Sequence, residues 1–336
     1  MKTFFSLVLL LVVFPAILVT LSFALFCVNP AAPQQTGEVA IEIMEGSSLR
    51  TIASLLDDAH AIQGKWRFKL FAKLLHVERS LKYGEYRLKL PQTPLSVLQE
   101  LASGNVTAYF VTFPEGSTMF DVAQQIENAG LCSAAAILEK AADREFAATL
   151  GIDGESLEGY LFPETYKFNR GSRPTAILRR MVDQFNKIVT SDMEKQARAI
   201  GLTRKEFITL ASLVEKEAGC EEERAVIAAV FLNRLQKGMR LDCDPTVLYG
   251  LKLENSTFNE RLNKNHLKKE SPYNTYRNSG LPPGPICNPG LNSIRAVLNP
   301  AKVNYFYFVS KNDGTHQFSE TLAEHNRAVN AYQRQQ

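Results

Sequence analysis

The chain has 336 residues, 38 of them basic and 35 acidic, so its formal net charge at pH 7 is only +3. These charges are spread along the sequence without a long basic run or an interleaved aromatic patch, which excludes the usual pattern of a nucleic-acid-binding protein. Five cysteines and five histidines match no zinc-binding spacing, and we expect no metal and no cofactor. The length allows two or three domains with substantial cores.

The N-terminal segment is apolar enough to cross a membrane. No charged side chain lies between residues 3 and 37, and the run from Phe4 to Val28 exceeds the ~20 residues that span a bilayer. We therefore predict a transmembrane anchor at residues 4–28, followed by a short polar linker at residues 29–37. Lys2 supplies positive charge on the N-terminal side, which favours a cytoplasmic position for residues 1–3.

A cleaved signal peptide is the alternative interpretation of this segment, because small residues suitable for cleavage lie near the end of the apolar run. They are Ala24, Ala31 and Ala32. Both interpretations export the rest of the chain.

An internal repeat follows the linker. The segments 41–48 and 111–118 align at an offset of 70 residues, and each is typical of an alternating strand, a Glu-Gly turn and an amphipathic helix. We expect Ser47 and Ser117 to cap the N-termini of the two helices. With a later strand, the first copy is predicted to form a small α+β module at residues 38–108.

Two glutamates stand at the end of a predicted helix over residues 203–218. Apolar residues recur along it at spacings of three and four, so one wide stripe should be buried. Glu215 and Glu217 lie in the last turn, where the negative end of the helix dipole and the apolar surroundings disfavour ionisation. A carboxylic acid that stays protonated near neutral pH is what a general acid needs.

The helical geometry leaves open which of these glutamates acts. At 100° per residue the two side chains lie about 200° apart, so they flank the apolar stripe and cannot act as adjacent acid and base on one bond. Glu217 is closer to the unpaired carbonyls of the helix end and should feel them more strongly. Both could instead be ordinary glutamates at the edge of a helix.

Seven short motifs follow in a fixed order from this helix onward. They are Val214-Glu-Lys-Glu-Ala218, Glu223-Arg224, Val230-Phe-Leu-Asn-Arg-Leu235, Gly238-Met-Arg-Leu241, Asp244-Pro-Thr-Val-Leu-Tyr249, Tyr273-Asn-Thr-Tyr276 and Gly280-Leu-Pro-Pro-Gly-Pro-Ile286. In sequence and order they resemble the endolytic murein transglycosylases, the YceG-like family of membrane-anchored bacterial enzymes. Seven motifs in register are far more specific than one, and the resemblance covers nearly the whole chain.

The resemblance implies cleavage of the bond between N-acetylmuramic acid and N-acetylglucosamine in peptidoglycan strands, leaving anhydro ends and limiting the length of new strands. It favours Glu217 as the catalytic acid, because the catalytic glutamate of lytic transglycosylases ends a helix and precedes a small residue. The implied fold is α+β, with a LysM-like module at residues 38–108 and a catalytic domain at residues 109–336 that carries a lysozyme-like catalytic helix. A rigid spacer without sugar affinity is the alternative for the module.

The resemblance also implies where the protein acts and with what. The expected location is the bacterial inner membrane, crossed once, with the catalytic domain in the periplasm. The expected partners are the glycan strands themselves and the penicillin-binding proteins that synthesise them.

Candidate substrate-binding residues lie in the C-terminal half. Asn274 and Tyr276 present an amide and a hydroxyl suited to lining an oligosaccharide cleft. Arg224, near the start of a predicted helix over residues 221–237, either pairs with a carboxylate or contacts a sugar peptide. Asp244 precedes a proline, a pattern typical of an N-cap, with a role in the site as the alternative.

A further stretch similar to the family, residues 157–166, adds Tyr160 as a candidate contact. Its proline and aromatic residues favour an ordered loop against the catalytic helix. Glu158 in this loop is predicted to have a structural or substrate-wall role rather than an acid–base one.

Two other functions remain open from the sequence. A lysozyme-like hydrolase would use Asp244 or Glu164 as a second carboxylate and would leave ordinary reducing ends. A non-catalytic scaffold would instead hold glycan strands near cell-wall synthases. The presence of one well-placed acid favours transglycosylation, because there the substrate supplies its own nucleophile.

Overall fold

The structure, a computed structural model, describes residues 9–256 and 258–333, and residues 1–3 and the start of the predicted anchor lie outside this range. Its helices are α1 (Phe14–Val28), α2 (Leu49–Asp58), α3 (Lys65–Leu74), α4 (Pro94–Ser103), α5 (Met119–Asn128), α6 (Ala134–Ala141), α7 (Arg144–Thr149), α8 (Pro174–Ile188), α9 (Ser191–Ala199), α10 (Arg204–Glu217), α11 (Arg224–Gln236), α12 (Asp244–Glu254), α13 (Lys264–Leu267), α14 (Leu291–Leu298) and α15 (Leu322–Gln333). The strands are β1 (Gly37–Ile43), β2 (Gly84–Leu90), β3 (Ala108–Thr112), β4 (Thr165–Asn169), β5 (Tyr307–Ser310) and β6 (His316–Ser319). Two-stranded sheets pair β1 with β2, β3 with β4 and β5 with β6, which confirms the predicted α+β class.

Helix α1 is apolar apart from Thr20 and Ser22, and it continues a π-helical turn at Leu9–Val13. Within the described residues, Leu11–Val28 is the one helical stretch long and apolar enough to cross a membrane, with a mean hydropathy of 2.7. Only 11% of that stretch is buried against the rest of the protein, so most of its apolar surface faces outward.

The first of two compact units comprises residues 9–110 together with residues 129–132 and 167–173. Its sheet is antiparallel, in register from Gly37 opposite Leu90 to Ile43 opposite Gly84. Side chains alternate along β1 in the half-buried pattern that a two-stranded sheet with one covered face requires. Helices α2, α3 and α4 supply the rest of this core.

The second unit contains residues 111–128, 133–166 and 174–333, as far as they are described. At its centre α10 buries every side chain from Phe207 to Val214. Thr203 caps this helix in a capping box with Glu206, and Ala218 forms the C-cap, so the predicted helix is confirmed at both ends. Packing of α11 and α14 against α10 fixes the direction in which its last turn points.

Both copies of the internal repeat form a strand, a turn and a helix, but the predicted caps are wrong by one residue. Ser48 and Thr118 are the residues whose hydroxyls accept from backbone amides three positions later, at 3.2 and 3.3 Å. Ser47 and Ser117 close the preceding turns instead, and Ser117 donates its hydroxyl to the carbonyl of Pro114. The Glu-Gly turn is therefore one residue longer than the pattern indicated.

The loop at residues 157–163 packs against α10, as predicted. Gly159 has a φ of +88°, and a side chain there would come within 2.4 Å of Pro285 and 3.2 Å of Ile208. Only glycine tolerates both the left-handed backbone and the close approach. The loop therefore sits directly on the helix that carries the two glutamates.

Candidate active site

Glu217 is the last residue of α10, and its environment favours the protonated carboxyl. Burial raises its pKa, and the nearby negative charge of Asp244 raises it further. The Cys243 thiol hydrogen-bonds to the carboxyl and acts in the opposite direction. No basic nitrogen lies within ion-pair distance of Glu217 in residues 9–256 and 258–333, and the cationic groups that favour its ionised form, His316 and Arg234, act from a longer distance.

Glu215, two residues earlier, is an ion-paired carboxylate. One of its oxygens accepts from Arg224 Nη1 at 3.1 Å and the other accepts from the backbone amide of Gly290 at 2.9 Å. Only 6% of its side chain is exposed. Arg224 also donates to Glu221 at 2.9 Å and to Ser293 at 2.5 Å. Of the two roles considered for Arg224, the structure thus shows the pairing with a carboxylate.

A buried cluster of small polar residues orients Cys243 toward Glu217. The amide of Cys243 donates to Thr275 Oγ1 at 3.0 Å, and Thr246 Oγ1 donates to the Cys243 carbonyl at 2.6 Å. The two threonine hydroxyls lie 2.9 Å apart. Because these bonds fix the chain just before α12, they also fix where Asp244 begins that helix.

Asp244 is not an N-cap, contrary to the prediction. It is the first residue of α12, Cys243 occupies the cap position, and no side chain caps the helix. The Asp244 carboxylate instead accepts a hydrogen bond from the Tyr276 hydroxyl at 2.7 Å. Burial and this bond together raise the pKa of Tyr276, so Tyr276 stays a neutral donor. An exposed carboxylate therefore stands beside Glu217.

Two of the predicted substrate contacts do not face solvent. Asn274 is fully buried, where its amide donates to the carbonyls of Leu267 and Lys269 and its oxygen accepts from the amide of Tyr276. Tyr160 is 2% exposed, with its ring 5.1 Å from that of Phe185. Both side chains therefore stabilise the interior and are not part of the candidate site. Asn274 holds the loop that carries Tyr276.

A histidine that the sequence gave no reason to select also faces this region. His316 Nδ1 lies 2.7 Å from Glu223 Oε2, and its backbone amide donates to Glu223 Oε1 at 2.7 Å. When it is protonated, its charge favours the ionised form of Glu217. The two partners are 93 positions apart, so no local pattern could have joined them.

A cavity of about 420 Å³ opens beside the end of α10 and the start of α12. Its walls include Lys216 and Pro245, the immediate neighbours of Glu217 and Asp244, together with Tyr249 and Lys252. Lys252 is paired with Asp121 at 2.9 Å. In residues 9–256 and 258–333 no group of three or more His, Cys, Asp or Glu side chains is placed to hold a metal ion.

Glu158 is buried beneath the site and has a structural role, as predicted for this loop. It is 2% exposed, both of its oxygens accept from the amide of Met119 at 3.0–3.1 Å, and Asn288 donates to it at 3.2 Å. Asn288 also accepts from the amides of Gly159 and Leu161, both at 2.9 Å, and so ties three segments together. Burial raises the pKa of Glu158 to about 7.

This raised pKa predicts a pH-dependent stability. The folded protein binds the Glu158 proton more tightly than the unfolded chain, so the contribution is present below about pH 4.5 and is lost as the pH rises through 7. Between pH 5 and pH 8 the wild-type protein should lose roughly 3 kcal/mol more unfolding free energy than Glu158→Gln, which stays neutral. Urea unfolding of both proteins in detergent at the two pH values measures the difference. Equal losses in the two proteins would show that Glu158 does not titrate in this range.

Comparisons with known proteins agree with this architecture. A model of the YceG-like family matches residues 41–331. A relative from Bacillus subtilis (strain 168), named endolytic murein transglycosylase, is 35% identical over 323 residues, covering 90% of this chain and 87% of the relative. A relative of the same name from Streptococcus pneumoniae serotype 2 is 30% identical, and the match covers 87% of this chain but 58% of that longer protein.

A solved structure extends the likeness to the fold. The crystal structure of a YceG-like protein from Listeria monocytogenes matches with a TM-score of 0.59 and 33% sequence identity, covering 87% of this chain and 99% of that one. The family match spans both compact units, including the helix that ends in Glu217. The chain therefore belongs to the YceG-like family.

Proposed function

We propose that the protein is an endolytic murein transglycosylase, which cleaves the bond between N-acetylmuramic acid and N-acetylglucosamine within peptidoglycan strands. The observation that carries this proposal is the contrast between the two glutamates of α10. Glu215 is ion-paired with Arg224, whereas Glu217 has a raised pKa, and its neighbour Lys216 lines an open cavity. The relatives that are 35% and 30% identical to this chain over the aligned residues are both named endolytic murein transglycosylase.

The proposed reaction uses Glu217 twice. As an acid it donates its proton to the glycosidic oxygen, and the bond from that oxygen to C1 of the muramic residue breaks as oxocarbenium character develops. As the resulting carboxylate it takes the proton of the C6 hydroxyl while that oxygen bonds to C1. Glu217 is thereby protonated again, the product ends in anhydro-muramic acid, and no water is consumed.

Asp244 supports a second candidate, a lysozyme-like hydrolase. Its exposed carboxylate lies close enough to Glu217 to raise the pKa of that group, and a hydrolase needs such a second carboxylate to activate water or to attack C1. In the transglycosylase the same negative charge keeps Glu217 protonated and stabilises positive charge at C1. Tyr276 holds the Asp244 carboxylate in place in either case.

The products distinguish the two reactions. We expect the full-length protein in detergent to convert uncrosslinked glycan strands into fragments that are each lighter by one water than a hydrolysis product, with muramic ends in the anhydro form. Mass spectrometry of the fragments measures this directly. Reducing ends that incorporate ¹⁸O from labelled water would establish the hydrolase, and intact strands would favour the scaffold.

The apolar segment at the N-terminus supports a location at the membrane. We propose that residues 4–28 anchor the chain in the bacterial inner membrane with the N-terminus inside, and that the catalytic domain at residues 109–336 faces the periplasm. A LysM-like module at residues 38–108 would then follow the anchor and precede the catalytic domain in the chain. In that position the enzyme would meet nascent strands as penicillin-binding proteins extrude them, which suits a role in limiting strand length.

A further inference from the structure

Helix α3 of the first unit carries apolar side chains on both of its faces. Phe68, Phe71 and Ala72 are buried in the core. On the opposite side Trp66 is 60% exposed, Leu70 43% and Leu74 59%. These three residues are spaced by four, so they form one continuous stripe along the outside of the helix. A stripe of this kind on a water-soluble surface is costly unless something covers it.

Basic side chains border the stripe on both sides. At 100° per residue Lys69 and Lys73 follow one edge, and Arg67 follows the other. The Arg67 guanidinium lies 5.5 Å from the ring of Trp66. An exposed apolar stripe with a tryptophan and flanking cations is the pattern of a helix that lies in the headgroup region of a bilayer.

The same helix packs against the apolar N-terminal helix α1. The rings of Phe23 and Phe71 meet edge to face with their centres 6.1 Å apart, and the Arg67 guanidinium lies 5.9 Å from the ring of Phe26. Phe26 and Cys27 are each only 9% exposed and belong to the core of this unit. One face of the last turn of α1 therefore packs against protein, while Leu25 and Val28 on the other face are 49% and 56% exposed.

This packing sets where the bilayer surface lies along the chain. The apolar run begins at Phe4, and the 19 residues from there to Ser22 are close in number to the ~20 residues that cross the hydrocarbon layer. A mainly apolar cavity of about 580 Å³ between α1 and α3 is lined by Leu18 and Phe23 on one side and Leu70 and Leu74 on the other. The exposed stripe thus stands at the level where the spanning segment ends.

We propose that α3 docks on the membrane surface, with Trp66, Leu70 and Leu74 inserted among the headgroups and Lys69 and Lys73 facing anionic lipid phosphates. This inference rests on the proposed anchor at residues 4–28. It goes beyond anchoring, because a single spanning helix leaves the following module free to tilt. Two contacts with one bilayer fix its height and orientation.

Trp66 reports on the docking directly, since it is the single tryptophan of the chain. The full-length protein is placed in nanodiscs of phosphatidylethanolamine and phosphatidylglycerol, at one chain per disc, with spin-labelled lipids whose label lies near the headgroup or deep in the acyl layer. We expect the shallow label to quench Trp66 more strongly than the deep one, and aqueous iodide to quench it weakly. Strong iodide quenching without quenching by either lipid label would overturn the proposal.

Variants and controls distinguish lipid from the other molecules that could cover the exposed stripe. Leu70→Asp with Leu74→Asp should abolish quenching by the shallow label, whereas Leu322→Asp, a change at a leucine that is 55% exposed in α15, should not. Protection of Trp66 that appears only when two chains share a disc would assign the stripe to a second copy. A Trp66 emission shift on adding soluble glycan strands in detergent would assign it to sugar. Either result contradicts docking on lipid.

The anchor is tested separately by extraction at alkaline pH. A chain that stays in the membrane fraction while iodide reaches Trp66 freely shows that the docking proposal alone is wrong. A chain released into the supernatant shows that the anchor itself is wrong, and the docking proposal falls with it.

Discussion

Glu217→Gln is expected to lower the rate of glycan cleavage by about 10³-fold, within the range that general acid–base groups contribute. The amide cannot donate a proton to the glycosidic oxygen, and it cannot accept the C6 hydroxyl proton afterwards. Substrate binding should change little, because the variant keeps the size of the side chain. Release of anhydro-ended fragments per unit time, measured at saturating glycan, gives the effect on kcat.

The matched control is Glu222→Gln, which makes the same chemical change at an exposed glutamate five residues later. It should cleave at the wild-type rate. A Glu217→Gln protein with unchanged cleavage would remove Glu217 from the mechanism. The next candidate would then be Asp244, the exposed carboxylate beside it.

The pH profile offers a second measurement on the same residue. The protonated carboxyl is the active form, and burial together with Asp244 raises its pKa. Cleavage should therefore persist above the pH at which an ordinary glutamate ionises, and should decline as the pH rises through the raised value. A rate that increases across that range would indicate that Glu217 works as a base from the start.

The sequence predicted the framework of this site better than its contacts. The helix at residues 203–218 was predicted from its apolar periodicity, which is a local property. The ordering of Glu217 over Glu215 rested on the helix dipole and the family pattern. What separates the two in the structure is Arg224, nine positions away from Glu215, and the amide of Gly290, which is farther still.

These errors come from side-chain contacts that the local sequence pattern does not encode. Asp244 followed by proline is typical of a cap, yet the hydroxyl of Tyr276 draws its carboxylate away from the helix end. Asn274 has the chemistry of a sugar ligand, but backbone carbonyls of its own loop occupy its amide. The pairing of His316 with Glu223 likewise depends on β6 lying beside the start of α11, which no local pattern encodes.

Arg224→Met should destabilise the second unit by about 3 kcal/mol, because it leaves the buried carboxylate of Glu215 without its partner. The loss is large since Arg224 is only 14% exposed and also neutralises Glu221 at 2.9 Å. Glu115 lies 3.9 Å from the same guanidinium, and burial, together with the nearby charge of Glu215, raises the pKa of Glu115. Removing the guanidinium would therefore leave the carboxylates of Glu115, Glu215 and Glu221 near one another without a positive charge between them. Urea unfolding in detergent, followed by circular dichroism, measures the change.

Replacing both Glu215 and Arg224 distinguishes two causes of lost stability, namely a buried charge without a partner and the loss of the contact itself. Glu215→Gln combined with Arg224→Met should recover much of the stability, because no buried charge is then left without a counter-ion. Cleavage by the double variant should return toward the wild-type rate, since Glu217 and Asp244 are unchanged. If Arg224→Met instead unfolds like the wild type but has a raised KM, Arg224 contacts the sugar peptide. Its pairing with Glu215 would then contribute little to the stability of the fold.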